Sequence, residues 1–163
     1  MEKYLSLLRR GGAAQAAVID PKTIVTAPWV AFKCQYGCPH YGKNLCCPPH
    51  APAWRETQAM IDCFGTAILF CCPAMEAVNP LALAAAKELF LDGRYKAVAL
   101  GSGPCLLCES CNVAECRHPG QAIPSMEACG IDVFATARAN GMAVETLADK
   151  TQPQNCFGLL LVE

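Results

Sequence analysis

Apolar positions along the chain change period several times, and each change predicts an element. Tyr4, Leu5 and Leu8 recur at helical spacing over residues 2–10, and Gly11-Gly12 supplies a terminal breaker, so a short opening helix is expected. Residues 16–19 and 24–32 are rich in β-branched and aromatic side chains and punctuated by Asp20-Pro21 and Pro28. They read as strands or extended segments that deliver the chain to Cys34. Residues 34–52 hold Pro39, Pro48, Pro49, Pro52, Gly37 and Gly42, too many breakers for regular structure, so a loop is predicted. Beyond it the pattern alternates: a helix over 53–63, a buried strand over 66–71, an alanine- and leucine-rich helix over 80–91 and a strand over 97–100. Ser125 can cap a helical turn through Ala128, Asp132 can cap a helix running to Ala139 before Asn140-Gly141, and residues 157–162 close the chain as a strand. The expected fold is α/β, one domain over residues 1–163, with a mixed or parallel sheet flanked by helices and two irregular cysteine-rich loops.

Composition narrows the class. The 163 residues are 53% hydrophobic with a net charge of −1, enough for a sizeable core. Thirteen cysteines would suggest a disulfide framework in a short secreted chain, but the count is odd and the spacings are those of metal ligands, which favours a reducing cytoplasm. The opening residues do not resemble a signal peptide, and the longest apolar stretch, 64–75, is too short to span a bilayer and is interrupted by Pro73. Neither a membrane nor a nucleic acid is an expected partner, since the latter requires a concentrated basic surface. One asymmetry stands out locally: no acidic residue lies between Asp20 and Glu56, whereas Lys22, Lys33, Lys43, Arg55, His40 and His50 do. That segment is either an ordinary solvated surface or a counter-charge for an anionic centre or ligand.

The strongest chemical signal is Cys105-Leu-Leu-Cys108-Glu-Ser-Cys111, followed by Cys116-Arg-His-Pro119. Successive two-residue gaps wrap a backbone around an iron-sulfur cubane, as in the C-x2-C-x2-C-x3-C-P run of bacterial ferredoxins, although here the last gap is four residues and Arg117-His118 precede the proline. Three contiguous steps crowd a single zinc ion, whose structural sites usually pair two C-x2-C knuckles across a spacer. Gly101-Ser102-Gly103-Pro104 ends the preceding strand, so these ligands should hang from a strand terminus. The earlier loop holds Cys34, Cys38, Cys46 and Cys47 before Pro48-Pro49, and could instead form a zinc site completed by His40 or His50. Tyr36, Tyr41 and Trp54 are expected to shield it from water, while Cys63, Cys71, Cys72, Cys156 and Met126 read as core packing.

Taken together, KCxxxCPxYGKxxxCPP, GPCxLCxxCxxxxCRHP and PSMEACGIDVF resemble a family of small prokaryotic cysteine-rich proteins called predicted metal-binding proteins, over about residues 2–162. The resemblance implies metal binding, and matches Cys34, Cys38, Cys47, Cys105, Cys108, Cys111 and Cys116 to motif cysteines. Cys47 is the one that matches the cysteine before Pro-Pro, which leaves Cys46 the expected spare. Cys129, within the third motif, and Cys46 are the additional candidates.

Those positions suggest two [4Fe-4S] clusters, with zinc the alternative. Two ligand arrangements stay open: Cys116 completes the first site and the second recruits Cys129, or Cys116 stays with its own loop and the first cluster keeps an open iron. The former suits intracellular electron transfer with a redox partner protein. The latter suits an enzyme acting on a small anionic or sulfur-containing substrate. A zinc-stabilised interaction module is the third reading. No phosphate-binding glycine loop and no Ser-His-Asp grouping accompany these motifs.

Overall fold

The computed structural model describes residues 1–149, 151–152 and 154–163. Four strands, β1 (Gln15–Ile19), β2 (Ala67–Cys72), β3 (Val98–Leu100) and β4 (Cys156–Leu161), form one sheet in the order β1-β2-β4-β3. Among the described residues five helices accompany it: α1 (Glu2–Arg10), α2 (Pro28–Gly37), α3 (Trp54–Ile61), α4 (Met75–Leu91) and α5 (Val133–Ala139). The α/β expectation holds, but of the two sheet types considered the parallel one does not occur. Every ladder is antiparallel, and parallel pairing appears only as the isolated Gly101–Ser125 bridge among the described residues. The reason is β4, which inserts between β2 and β3 and runs against both, so that the final strand rather than a βαβ crossover decides the sheet.

Alternate residues of each strand serve opposite cores. Ile68, Phe70 and Cys72 of β2 join Leu160 of β4 beneath α1 and α4, where they meet Leu8, Val78, Ala82, Ala85 and Leu89. Ala67, Leu69 and Cys71 point the other way with Leu159 and Leu161, against Ile61, Met126, Ile131 and Ala137. A strand covered on both faces has no polar positions to alternate with. Hence β2 and β4 read in sequence as unbroken apolar runs. No helix among the described residues is long and apolar enough to cross a membrane.

Two predicted boundaries move. Residues 24–32 are not a strand: a 3-10 turn at Pro21–Thr23 leads to α2, with Pro28 in its first turn, where a missing N–H costs nothing and the fixed φ favours a helix. Cys34 therefore sits on a helix rather than in a loop. Helix α4 begins at Met75, five residues before its predicted start, and accommodates Pro80 in its interior. The apolar contacts of Val78, Leu81 and Ala82 outweigh the breaker signal there. Asp132 caps α5 as expected, accepting from Ala135 N–H at 2.9 Å, and Ser125 Oγ accepts from Ala128 N–H at 3.0 Å.

Helix α1 is clasped to the end of α4 by Asp92, which accepts from Lys3 Nζ at 2.6 Å and from Tyr4 Oη at 2.8 Å. These donors, Lys3 foremost, hold the Asp92 carboxyl below its ordinary pKa. A depressed carboxylate stabilises the fold above its unfolded pKa, and the contribution vanishes as pH falls through the folded value. Asp92→Asn should therefore lower the melting temperature slightly at pH 7, the pair being exposed, and should converge on wild type in acid; paired melts across pH check this. Gly130 is a sharper constraint, because its φ is +76° and an added Cβ would lie 2.6 Å from Trp54 Cβ and 3.0 Å from Trp54 Cα. Gly130→Ala should cost about 2 kcal/mol in chemical denaturation, through both backbone strain and overpacking.

Candidate metal centre

The two cysteine loops meet at one end of the sheet. The first is braced by its own backbone: Cys38 N–H donates to Cys34 C=O at 3.2 Å, and Gly42 N–H reaches Pro48 C=O at 2.8 Å to close the loop. His50 and Ala51 N–H both donate to Cys47 C=O, at 2.9 and 3.0 Å, which fixes Cys47 just ahead of the cis Pro48–Pro49 bond. The second loop leaves β3 at Gly101. Asn79 Oδ1, on α4, accepts from Ser102 N–H at 2.9 Å, while Gly101 N–H donates to Pro124 C=O at 2.9 Å and Gly101 C=O accepts from Met126 N–H at 3.0 Å. A helix side chain and a bridging strand thus hold the root of the loop that carries Cys105.

Cys34, Cys38 and Cys47 share one wall of a cavity of about 610 Å³. Opposite and around them stand Glu127, Ser125, Phe134, Phe157 and Cys156, so this space is mostly apolar with a few polar groups. Burial first, then repulsion from Cys38 and Cys47, pushes the Cys34 thiol above its ordinary pKa. Burial raises Cys47 as well, opposed in part by a hydrogen bond with the Asn44 side chain. Glu127, also raised by burial, is close enough to disfavour ionisation of both Cys34 and Cys156.

Cys105, Cys108, Cys111 and Cys116 enclose a second, much smaller space of about 20 Å³ with Arg117 and His118. His118 N–H donates to Cys116 Sγ at 3.4 Å, the kind of contact that tunes a metal-bound sulfur. Cys46, expected to be spare, lies among these thiols. It hydrogen-bonds with Cys105, and burial together with repulsion from Cys105 pushes its pKa up to about 12. Cys46 thus lines the second space and Cys47 the first, but the charges of Cys105 and Cys111 also reach Cys47, so the two groups adjoin.

Other expectations fare unevenly. Cys129 is buried in the core beside Thr57 and lines neither space, with its thiol raised to about 12 by burial. Tyr41 lines the cavity as a shield should, and Trp54 is half-buried against Gly130, but Tyr36 is exposed because it projects from the outer side of α2. Cys71, Cys72, Cys156 and Met126 are buried as predicted, whereas Cys63 is exposed in the turn after α3. Sequence reasoning missed Glu127, which carries no motif signal beyond its place between Ser125 and Cys129. None of the basic residues between positions 20 and 56 is among the described residues that line the cavity. An anionic substrate drawn in by them has no support there.

All thirteen cysteines are free thiols, and among the described residues no three His, Cys, Asp or Glu side chains converge tightly enough to hold a single metal ion. The thiols instead surround two spaces. Thiolates are soft donors suited to iron-sulfur clusters and zinc, so the donor set fits a metal of that class. An α/β fold with grouped thiols at a sheet end defines a metal-binding protein. The chain belongs to the family described as predicted metal-binding protein (DUF2284), whose pattern matches residues 17–162 and so leaves α1 outside. Neither a curated protein nor a solved structure matches it.

Two substitutions separate the groups. Cys47→Ser should remove the metal held beside Cys34 and Cys38, Cys46→Ser should perturb the Cys105 group, and Cys129→Ala should retain full metal content; elemental analysis with spectra of each variant reads the difference. Because Cys34, Cys46 and Cys47 are raised thiols in the metal-free chain, loading must displace their protons. Metal uptake should accordingly release protons and weaken as pH falls, measurable by titration in lightly buffered solution.

Proposed function

We propose that this protein carries two [4Fe-4S] clusters and performs cytoplasmic redox chemistry on a small molecule, one cluster on Cys34, Cys38 and Cys47 and the other on the Cys105, Cys108, Cys111 and Cys116 loop. A bound cluster supplies one-electron transfer and, where one iron lacks a thiolate, a Lewis-acidic position. The observation that carries the reading is the asymmetry of the two thiol groups. Cys34, Cys38, Cys47 and Cys156 line the 610 Å³ cavity, whereas the Cys105 loop and Cys46 bound an enclosed space of only about 20 Å³ and Cys108 and Cys111 face an open surface depression. A pure carrier needs no chamber at its cluster. Cys116, which would have to complete the first set in that case, lines the small space with the rest of its loop, which supports the arrangement with an open iron.

The chain's residues then have definable tasks. Val133, Phe134 and Phe157 give the chamber apolar walls. Ser125 and Glu127 offer the groups that would orient a ligand's polar end toward the thiol wall. Cys46 stands as a reserve donor to the second group.

Anaerobic isolation followed by iron and acid-labile sulfide counting tests the reading, with about eight irons and as many sulfides per chain expected. Added cyanide or a small thiol should shift the spectrum of about half the iron. Indifference to such ligands would favour an electron carrier with both clusters saturated, and zinc without sulfide would favour the interaction module.

A further inference from the structure

Helix α2 has two unlike sides. Cys34 and Val30 turn inward, Val30 being buried and Cys34 facing the cavity. Trp29, Phe32, Lys33 and Tyr36, at helical spacing, turn outward, and the three aromatic residues are 46%, 64% and 71% exposed. The outer groups are organised rather than scattered. The Phe32 and Tyr36 ring centroids are 4.6 Å apart, and Lys33 Nζ stands 5.2 Å from the Trp29 ring centroid. Aromatic side chains grouped in this way, with a cation among them, have the composition of an interface centre rather than of ordinary surface.

Charge indicates the partner. The segment from Pro21 to Arg55 surrounding this helix contains Lys22, Lys33, Lys43 and Arg55 and no acidic residue, and among the described residues none of these cations forms an ion pair. Arg55 lies over the Trp54 ring, 4.9 Å from its centroid, where α3 begins. These cations do not line the cavity. Lys33 stands on the aromatic side of α2 itself, where it is available to steer a macromolecule of opposite charge. The thiol of Cys34 is separated from the outer aromatic side by no more than the thickness of one helix, about 10 Å.

We infer that the outer face of α2 is the docking site of an acidic electron-transfer protein, which passes single electrons across this helix to the centre on Cys34, Cys38 and Cys47. This rests on the redox reading above. In each transfer the partner's reduced centre loses one electron and the centre held by this chain gains one, with no bond made or broken in either protein. Such encounters use small interfaces, and three exposed aromatic side chains with Lys33 among them suit that scale.

The test compares reduction by two donors, an acidic [2Fe-2S] ferredoxin and the small reductant dithionite, using the cluster-loaded protein. Reduction by the ferredoxin should slow steeply with added salt. It should fall at least tenfold in Lys33→Glu and in the double variant Phe32→Ser/Tyr36→Ser, with iron content and dithionite reduction unchanged. A basic carrier protein should react more slowly than the acidic one with wild type and should gain on it with Lys33→Glu. Equal ferredoxin rates in wild type and variants, or rates indifferent to salt, would overturn the docking site while leaving the clusters in place. If the same variants instead break up a dimer or abolish binding to anionic lipid vesicles, the face serves another occupant and the inference fails. A protein without sulfide or any centre that dithionite reduces would remove the redox reading itself.

Discussion

Buried thiols cannot be ionised together without a cation between them, and this constraint organises one whole end of the molecule. Cys34 and Cys47 each resist losing a proton because burial and neighbouring thiolates oppose the charge, and Cys46 resists most of all. Bringing such groups together is unfavourable for a metal-free chain and favourable for a metal-bound one. The supporting features make sense in that light. Closure of the first loop by Gly42 and Pro48, the Asn79 anchor at Ser102, and the pairing of Gly101 with Ser125 all hold sulfur atoms where mutual repulsion would otherwise scatter them.

Much of this was legible in the sequence, and the misses have physical causes. The cysteine motifs, the capping residues Ser125 and Asp132, and the breaker-ended helix α1 depend on local chemistry, which spacing reveals directly. Strand direction did not, because the antiparallel sheet is decided by β4, separated from its neighbour β2 by more than eighty residues of chain. Helix α2 was hidden by its composition: Val30, Phe32 and Tyr36 favour strands in isolation, yet Pro28 in the first turn and burial of Val30 against the fold select a helix. The partition of Cys46 from Cys47 was equally hidden. Motif matching assigns positions along a chain, whereas the direction of two adjacent side chains depends on the loops that fold around them.

That partition links the two thiol groups through a single peptide unit. Cys47 lines the chamber, Cys46 sits among the thiols of the Cys105 loop, and Cys47 is itself close enough to Cys105 and Cys111 to feel their charge. Any shift of the Pro48-Pro49 segment must move both together. A redox or ligand event on the chamber side would thus be felt mechanically at the Cys105 group, with no intervening domain movement.

The opposite layer has a separate character. Helices α1 and α4 pack with β1, β2 and β4 through aliphatic contacts that contain none of the residues in the two cysteine groups. Hydrophobic burial alone thus holds this layer, while hydrogen bonds through Asn79 and Gly101 tie the cysteine end to it. A newly made chain would then meet its metal with an already shaped receptacle rather than a coil.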